Sequence, residues 1–339
     1  MEERNRTQAR NLAGPSAQAI SIHSRWKPIV LSGAFVVAMV AASDMLHLSE
    51  LLFPEICAIL CGAWILPKQA WRTNRVWMML LLCAGAVFGV LVNRFLPWPL
   101  WARAPLGFLF CAGCMLFCGA EMAPMFSAAV LPMLLETTSW VYPLAVAGLV
   151  ALVLMGQIIL ERLGLREPIS FQREEKPGRE KKALWLRRIA VLCLFACPAY
   201  AAGVPFLAVP PLLVAFVEIT NPKTPLRRKP MQTWLCLALA AGIGSLGRTA
   251  VEAALLSPAL AAAVAFLLLL AVWDVLQLWF PPAGAVVLLA FLAPWQGPWS
   301  YFLEVSLGAA IWIVAARVLF PCRPAAAAEK AATDDTKRT

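Results

Sequence analysis

Apolar runs, interrupted at near-regular intervals by short polar or proline-bearing stretches, fill the chain from residue 28 to residue 320. Most approach the ~20 residues that carry a helix across a bilayer. Taken in order, the pattern predicts six helical segments in a first half, at about 28–42, 50–66, 76–93, 104–120, 123–135 and 140–160. It predicts six more at about 188–203, 205–220, 232–247, 252–273, 281–293 and 299–320. Segments five and eleven are short, and each opens on proline. One reads Pro124-Met125-Phe126-Ser127-Ala128, the other Pro281-Pro282-Ala283-Gly284-Ala285. They interrupt the two halves at matching places, the pattern that points to a substrate site in a membrane carrier.

Other landmarks repeat at the same offset. Pro67-Lys68 answers Pro222-Lys223, Arg94 answers Arg248, and Arg162 answers Arg317, each about 155 positions on. The spacing predicts an internal duplication. The fold class is therefore an all-α polytopic membrane protein. It would hold two parallel six-segment repeats, about 12 segments in all, two of them broken or re-entrant. The domain reading is a cytosolic tail at 1–27, a first repeat at 28–161 and a basic linker at 162–187. A second repeat at 188–320 and a disordered tail at 321–339 complete it.

Composition strengthens this picture: 61% of residues are hydrophobic and 14% charged. The net charge of +10 changes it further. The basic residues do not line a helical face with interleaved aromatics, which speaks against nucleic acid as a partner. They cluster at 68–75, 162–188 and 223–229, between apolar runs, where the positive-inside rule places cytoplasmic loops. Both termini would then be cytoplasmic in a cell membrane. No short apolar core with a small-residue cleavage site follows the basic tail, so no signal peptide is read there.

Candidate chemistry follows from the short segments. A helix that begins inside a membrane exposes amide N–H groups and a partial positive charge, which suits an anion. Pro281, Pro282 and Gly284 fit this role, with Pro124, Met125 and Ser127 as a weaker copy. Ionisable groups inside membrane segments are functional candidates because burying them is costly. That adds Glu55 beside Pro54, and Glu218 after Pro210-Pro211, with Asn221 nearby. Glu121 and Asp274 precede the two short segments, where they would cap the broken helices or gate a cation. Ten cysteines lie mostly inside apolar runs at same-face spacing and read as packing residues; His23 and His47 read as solvated. Neither set predicts a metal site, and no cofactor is implied. Hydrolytic and nucleotide-binding motifs are missing from the sequence, so an enzyme is not expected.

The run Pro281-Pro282-Ala283-Gly284-Ala285 resembles the signature of the HPP family of integral membrane proteins, His-Pro-Pro-Ala-Gly-Ala, with Phe280 standing in place of the histidine. Pro210-Pro211-Leu212 followed by Asn221-Pro222-Lys223 resembles that family's proline-containing helix and turn. The resemblance covers about 205–320, and Pro281, Pro282 and Gly284 would be its motif residues. Some members of the family are implicated in nitrite transport. The six-segment halves also look a little like fusaric-acid-resistance-type exporters, which move aromatic acids. The expected function is a transporter or channel for a small, nitrite-like anion. Export of aromatic or small carboxylic acids is one alternative. A non-transporting scaffold, whose basic linker binds a partner or anionic lipid, is another. A homo-oligomer is compatible with the same composition.

Overall fold

The computed structural model describes residues 22–174, 177–221, 224–292 and 297–321. The N-terminal tail to residue 21, Pro222-Lys223 and the tail from residue 322 lie outside the described residues. Twelve α-helices and no strands occur among the described residues. They are α1 (Trp26–Leu46), α2 (Glu55–Leu60), α3 (Arg75–Phe95), α4 (Leu100–Cys118), α5 (Pro124–Leu134) and α6 (Val141–Arg162). After these come α7 (Arg179–Ala201), α8 (Pro210–Ile219), α9 (Pro230–Glu252), α10 (Pro258–Leu276), α11 (Pro281–Leu289) and α12 (Pro298–Leu319). Eight of them are long and apolar enough to cross a membrane, and no more than half of each such span is buried. Exposed Leu80, Leu152, Leu194, Leu267 and Leu307 stud their outer faces, as lipid-facing positions should. The chain is a multi-pass helical membrane protein.

The four short helices are α2, α5, α8 and α11, two more than the two broken segments predicted. Segments two and eight are not continuous helices. The first is a 3-10 turn at Ser49–Leu51, then α2, then a π-turn at Cys61–Ile65. The second is a 3-10 turn at Pro205–Ala208 followed by α8. Proline begins α5, α8 and α11 and sits one residue before α2, where its missing N–H and fixed φ suit a first turn. Every residue of α2, α5 and α11 is buried. Helix α2 packs on α11 and α5, and α8 packs on the same two, so the short helices form the protein's centre.

Around that centre the long helices pair in matching ways. Helix α3 packs on α5 and α6, and α9 packs on α11 and α12. Helix α4 meets α7, and α10 meets α1. Tyr142 donates from its hydroxyl to the Ala128 carbonyl at 3.1 Å, and Tyr301 does the same to Val286 at 2.6 Å. Close backbone approach needs glycine: a Cβ on Gly244 of α9 would sit 2.6 Å from the Val287 carbonyl oxygen of α11. Gly89 of α3 meets the Ala129 carbonyl of α5 in the same fashion.

One end of the bundle collects the basic groups. There Arg25 donates to the Ile65, Trp64 and Leu165 carbonyls, and Arg75 pairs with Glu161. The Glu121 N–H donates to the Arg72 carbonyl at 2.8 Å, so α5 starts at this basic end. It finishes at the opposite end, where Asn93 reaches the Pro132 and Thr137 carbonyls and Arg103 pairs with Glu136. Helix α5 thus starts near one end of the long helices and finishes near the other.

The basic linker is shorter and more ordered than its composition implied. Helix α7 begins at Arg179, so the segment predicted from about 188 starts nine residues early, inside the stretch read as linker. The preceding strap, residues 163–174, folds back on the basic end. Arg166 is buried and donates to the Ala63 carbonyl, burial pushing its guanidinium down to about 10. The Glu167 N–H donates to the Pro67 carbonyl, and Arg173 lies 5.6 Å over the Trp77 ring.

Candidate functional site

A cavity of about 970 Å³ opens at the basic end, on the seam between the halves. Its walls come from the approaches to α5 (Glu121 and Ala123) and α11 (Trp279, Phe280 and Pro281). The first turns of α7 and the end of α8 complete them. Proline placement at the helix starts, and the polar residues left between apolar runs, thus bring both interrupted helices to one space.

The structure divides the predicted site residues into two groups. Glu121, Glu218, Asn221 and Pro281 line the cavity. Glu55, Ser127, Pro124, Met125, Pro211, Pro282 and Gly284 do not; they are packed in the core beyond it. Glu55 is 1% exposed, not interfacial. It accepts a hydrogen bond from the Ser127 hydroxyl through Oε1, while Oε2 has no partner. The Met125 carbonyl accepts from the Cys111 thiol at 3.5 Å. A Cβ on Gly284 would stand 2.7 Å from Cys57 Sγ, so α2 and α11 touch there. Below their mouths, α5 and α11 are packed solid.

Two expectations need correction. Glu121 and Asp274 cap nothing: the starts of α5 and α11, at Ala123 and Phe280, have no side-chain cap. Glu121 instead pairs with Lys181 at 2.9 Å and with Arg72 at 3.8 Å. Asp274 lies in the last turn of α10, where its backbone carbonyl accepts from the Gln277 N–H and side chain. The bare amides are also missing. Prolines occupy the first positions, the Met125 and Phe126 N–H groups bond back to Met122 and Ala123, and that of Ala283 bonds back to Phe280. These tight turns use the donors an anion would need. Only the partial positive field of the helix ends is left facing the cavity.

Charge in the cavity is mixed. Arg72 and Lys181 interlock with Glu121 and Glu174: Arg72 meets Glu174 at 2.6 Å, and Lys181 meets it at 2.8 Å. Those hydrogen bonds, from Lys181 first and Arg72 second, hold the Glu174 carboxyl below the usual carboxylate range. The Trp71 indole donates to Glu218 at 2.8 Å. Arg188 of α7 was legible in sequence only as part of a topology signal, yet it is 3% exposed and lines the cavity. Its Nε donates to the Thr220 hydroxyl at 3.0 Å, and its guanidinium carbon lies 4.6 Å from the Trp185 ring centre. The signal that would have found it is helical phase: Trp185, Arg188, Val191 and Leu192 form one buried stripe of α7.

Among the described residues no group of His, Cys, Asp and Glu is arranged to hold a metal ion. Comparison with protein-family models, curated proteins and solved structures found no match.

Proposed function

We propose that this protein is a channel or transporter for a small monovalent anion, and that the cavity is its vestibule. One observation carries the reading: a single large cavity reaches the mouths of two interrupted, fully buried helices at the seam between the halves. Ligand cavities of this size are common in proteins that bind small solutes. The repeated order of long and short helices and the twin tyrosine bonds at an offset of about 155–160 support two like-oriented six-segment repeats. In this reading all twelve helices span, the four short ones across a centre thickened by irregular turns. The basic end then faces the cytoplasm of a cell membrane, with both termini there.

The resemblance of residues 281–285 to the HPP signature supports nitrite as the type of cargo. A second reading, export of aromatic or small carboxylates, draws on the walls: Trp71, Trp185, Trp279 and Phe280 offer flat apolar faces beside the charges. A flux screen in proteoliposomes across nitrite, nitrate, formate and benzoate tests both. Uptake of the small planar ions favours the first, and benzoate alone favours the second. Vesicles tight to all four would leave the scaffold reading.

A further inference from the structure

We infer that Arg188 is the anion ligand of this cavity, gripping two oxygens of one planar monovalent oxyanion, a carboxylate or an inorganic ion of the nitrite type. The inference rests on the transport reading and names the residue that would select the cargo.

The other basic groups are committed elsewhere. Arg72 and Lys181 are neutralised by Glu121 and Glu174. Arg187 is exposed and lies 5.0 Å over the Phe320 ring. The amides at the mouths of α5 and α11 are used by their own turns. Arg188 differs on each count. It is buried, and among the described residues no carboxylate lies within ion-pair distance of it. Thr220 takes only Nε, and the Thr220 hydroxyl is itself fixed by donating toward the Phe216 and Val217 carbonyls, at 2.9 and 3.0 Å. Trp185 takes one face of the guanidinium. The edge carrying Nη1 and Nη2 is left without a protein partner in a space of about 970 Å³. The residue as a whole is buried, while the fork opens to the cavity, where a solute can replace the water that meets it. The fork matches two oxygens in one plane, which is how Arg recognises carboxylates and similar ions.

The acids facing the same space set the charge of the guest. Glu121 and Glu174 are balanced by Arg72 and Lys181; Glu180 and Glu218 also line the wall. The lining's four basic groups, Arg72, Lys181, Arg187 and Arg188, are matched by four carboxylates, so the cavity has no surplus of positive charge, and a divalent ion such as sulfate would meet more repulsion from Glu218 and Glu180 than a monovalent one. Chloride carries the charge but offers one acceptor atom where the fork holds two parallel donors. Thr220 and Trp185 act as positioning residues.

The test uses the full chain, purified and reconstituted. Thermal unfolding is followed in sodium formate, nitrite and benzoate, with chloride and sulfate at equal ionic strength as references. Formate, nitrite or benzoate should raise the midpoint of the wild type and leave Arg188→Gln unmoved. Arg188→Lys, which keeps charge and loses the fork, should raise KM for flux by about tenfold or more. Thr220→Val should raise it less. The chloride midpoints report whether each variant is folded. Equal oxyanion shifts in wild type and Arg188→Gln, or no shift in either, overturn the assignment. So does an unchanged KM in Arg188→Lys. If the shift depends on Arg188 but the wild type itself carries no flux of any of these ions, the transport reading falls and the ligand assignment stands.

Discussion

Alanine at position 284 adds one methyl group to the seam where α11 crosses α2. The new Cβ would lie 2.7 Å from Cys57 Sγ, 3.2 Å from Cys57 Cβ and 3.3 Å from its carbonyl carbon. Comfortable carbon contacts begin near 3.5 Å, so the sulfur is overlapped by most of an ångström. Neither partner can retreat, because Cys57 and its neighbours Ile56 and Ala58 are almost wholly buried. Overpacking of this kind costs about 1–3 kcal/mol, and the better helix propensity of alanine returns roughly 1. The net expectation for Gly284→Ala is a loss of about 0–2 kcal/mol, toward the upper end because the sulfur contact is so short. Cys57→Ala removes the overlapped sulfur and leaves a methyl-sized gap, a loss on the order of 1 kcal/mol by itself. Combined, the two changes should fit together, because the new methyl fills the gap. The double variant should be no worse than Cys57→Ala alone, a coupling of up to about 2 kcal/mol. Equilibrium unfolding in mixed detergent and SDS micelles, followed by tryptophan fluorescence, reads all four proteins. Simple additivity would show that α2 and α11 do not touch here. Gly284→Leu raises hydropathy while destroying this contact, so it should insert in the membrane and lose uptake.

Three further outcomes follow from the same geometry. Ser127→Ala takes the hydroxyl donor from buried Glu55 and should cost about 1–3 kcal/mol in that unfolding assay. Adding Glu55→Gln should recover part of the loss, since no charge is then left unpaired. Glu174 is held below its unfolded carboxylate value, so its pairing steadies the strap at any pH above that value. The benefit is lost as pH falls through the lowered folded value. The protection of residues 163–174 against deuterium exchange, taken relative to the intrinsic amide rate at each pH, should therefore hold from neutral pH into the weakly acid range and fall below it. In Glu174→Gln it should be low throughout. A flat wild-type profile would refute this. Reversing Arg227, Arg228 and Lys229 to glutamate should disturb orientation more than transport, read by the accessibility of single cysteines from each side of the membrane.

The membrane character, the positions of the long spans and the clustering of base at one end were legible in the sequence, because each depends on residues close together in the chain. Hydropathy over ~20 residues fixes a span, and Pro124 and Pro281 mark two interrupted helices whatever surrounds them.

Tertiary structure decided what those helices do. That α2 and α8 are short as well depends on turns whose apolar composition is indistinguishable from helix. That the prolines leave no idle amides depends on how tightly each first turn closes. The largest revision concerns charge. Arg188 stands beside Arg187 at the end of a basic stretch, and nothing local separates it from solvated residues; Glu55 stands out between Pro54 and Ile56 as a charge in an apolar run, but nothing local shows how deeply it is buried. Their burial, and the pairing that occupies Arg72 and Lys181 but leaves the Arg188 fork idle, are set by groups far away along the chain. A side chain's worth as a ligand depends on which partners have already claimed it, and those partners are assembled only when the helices pack.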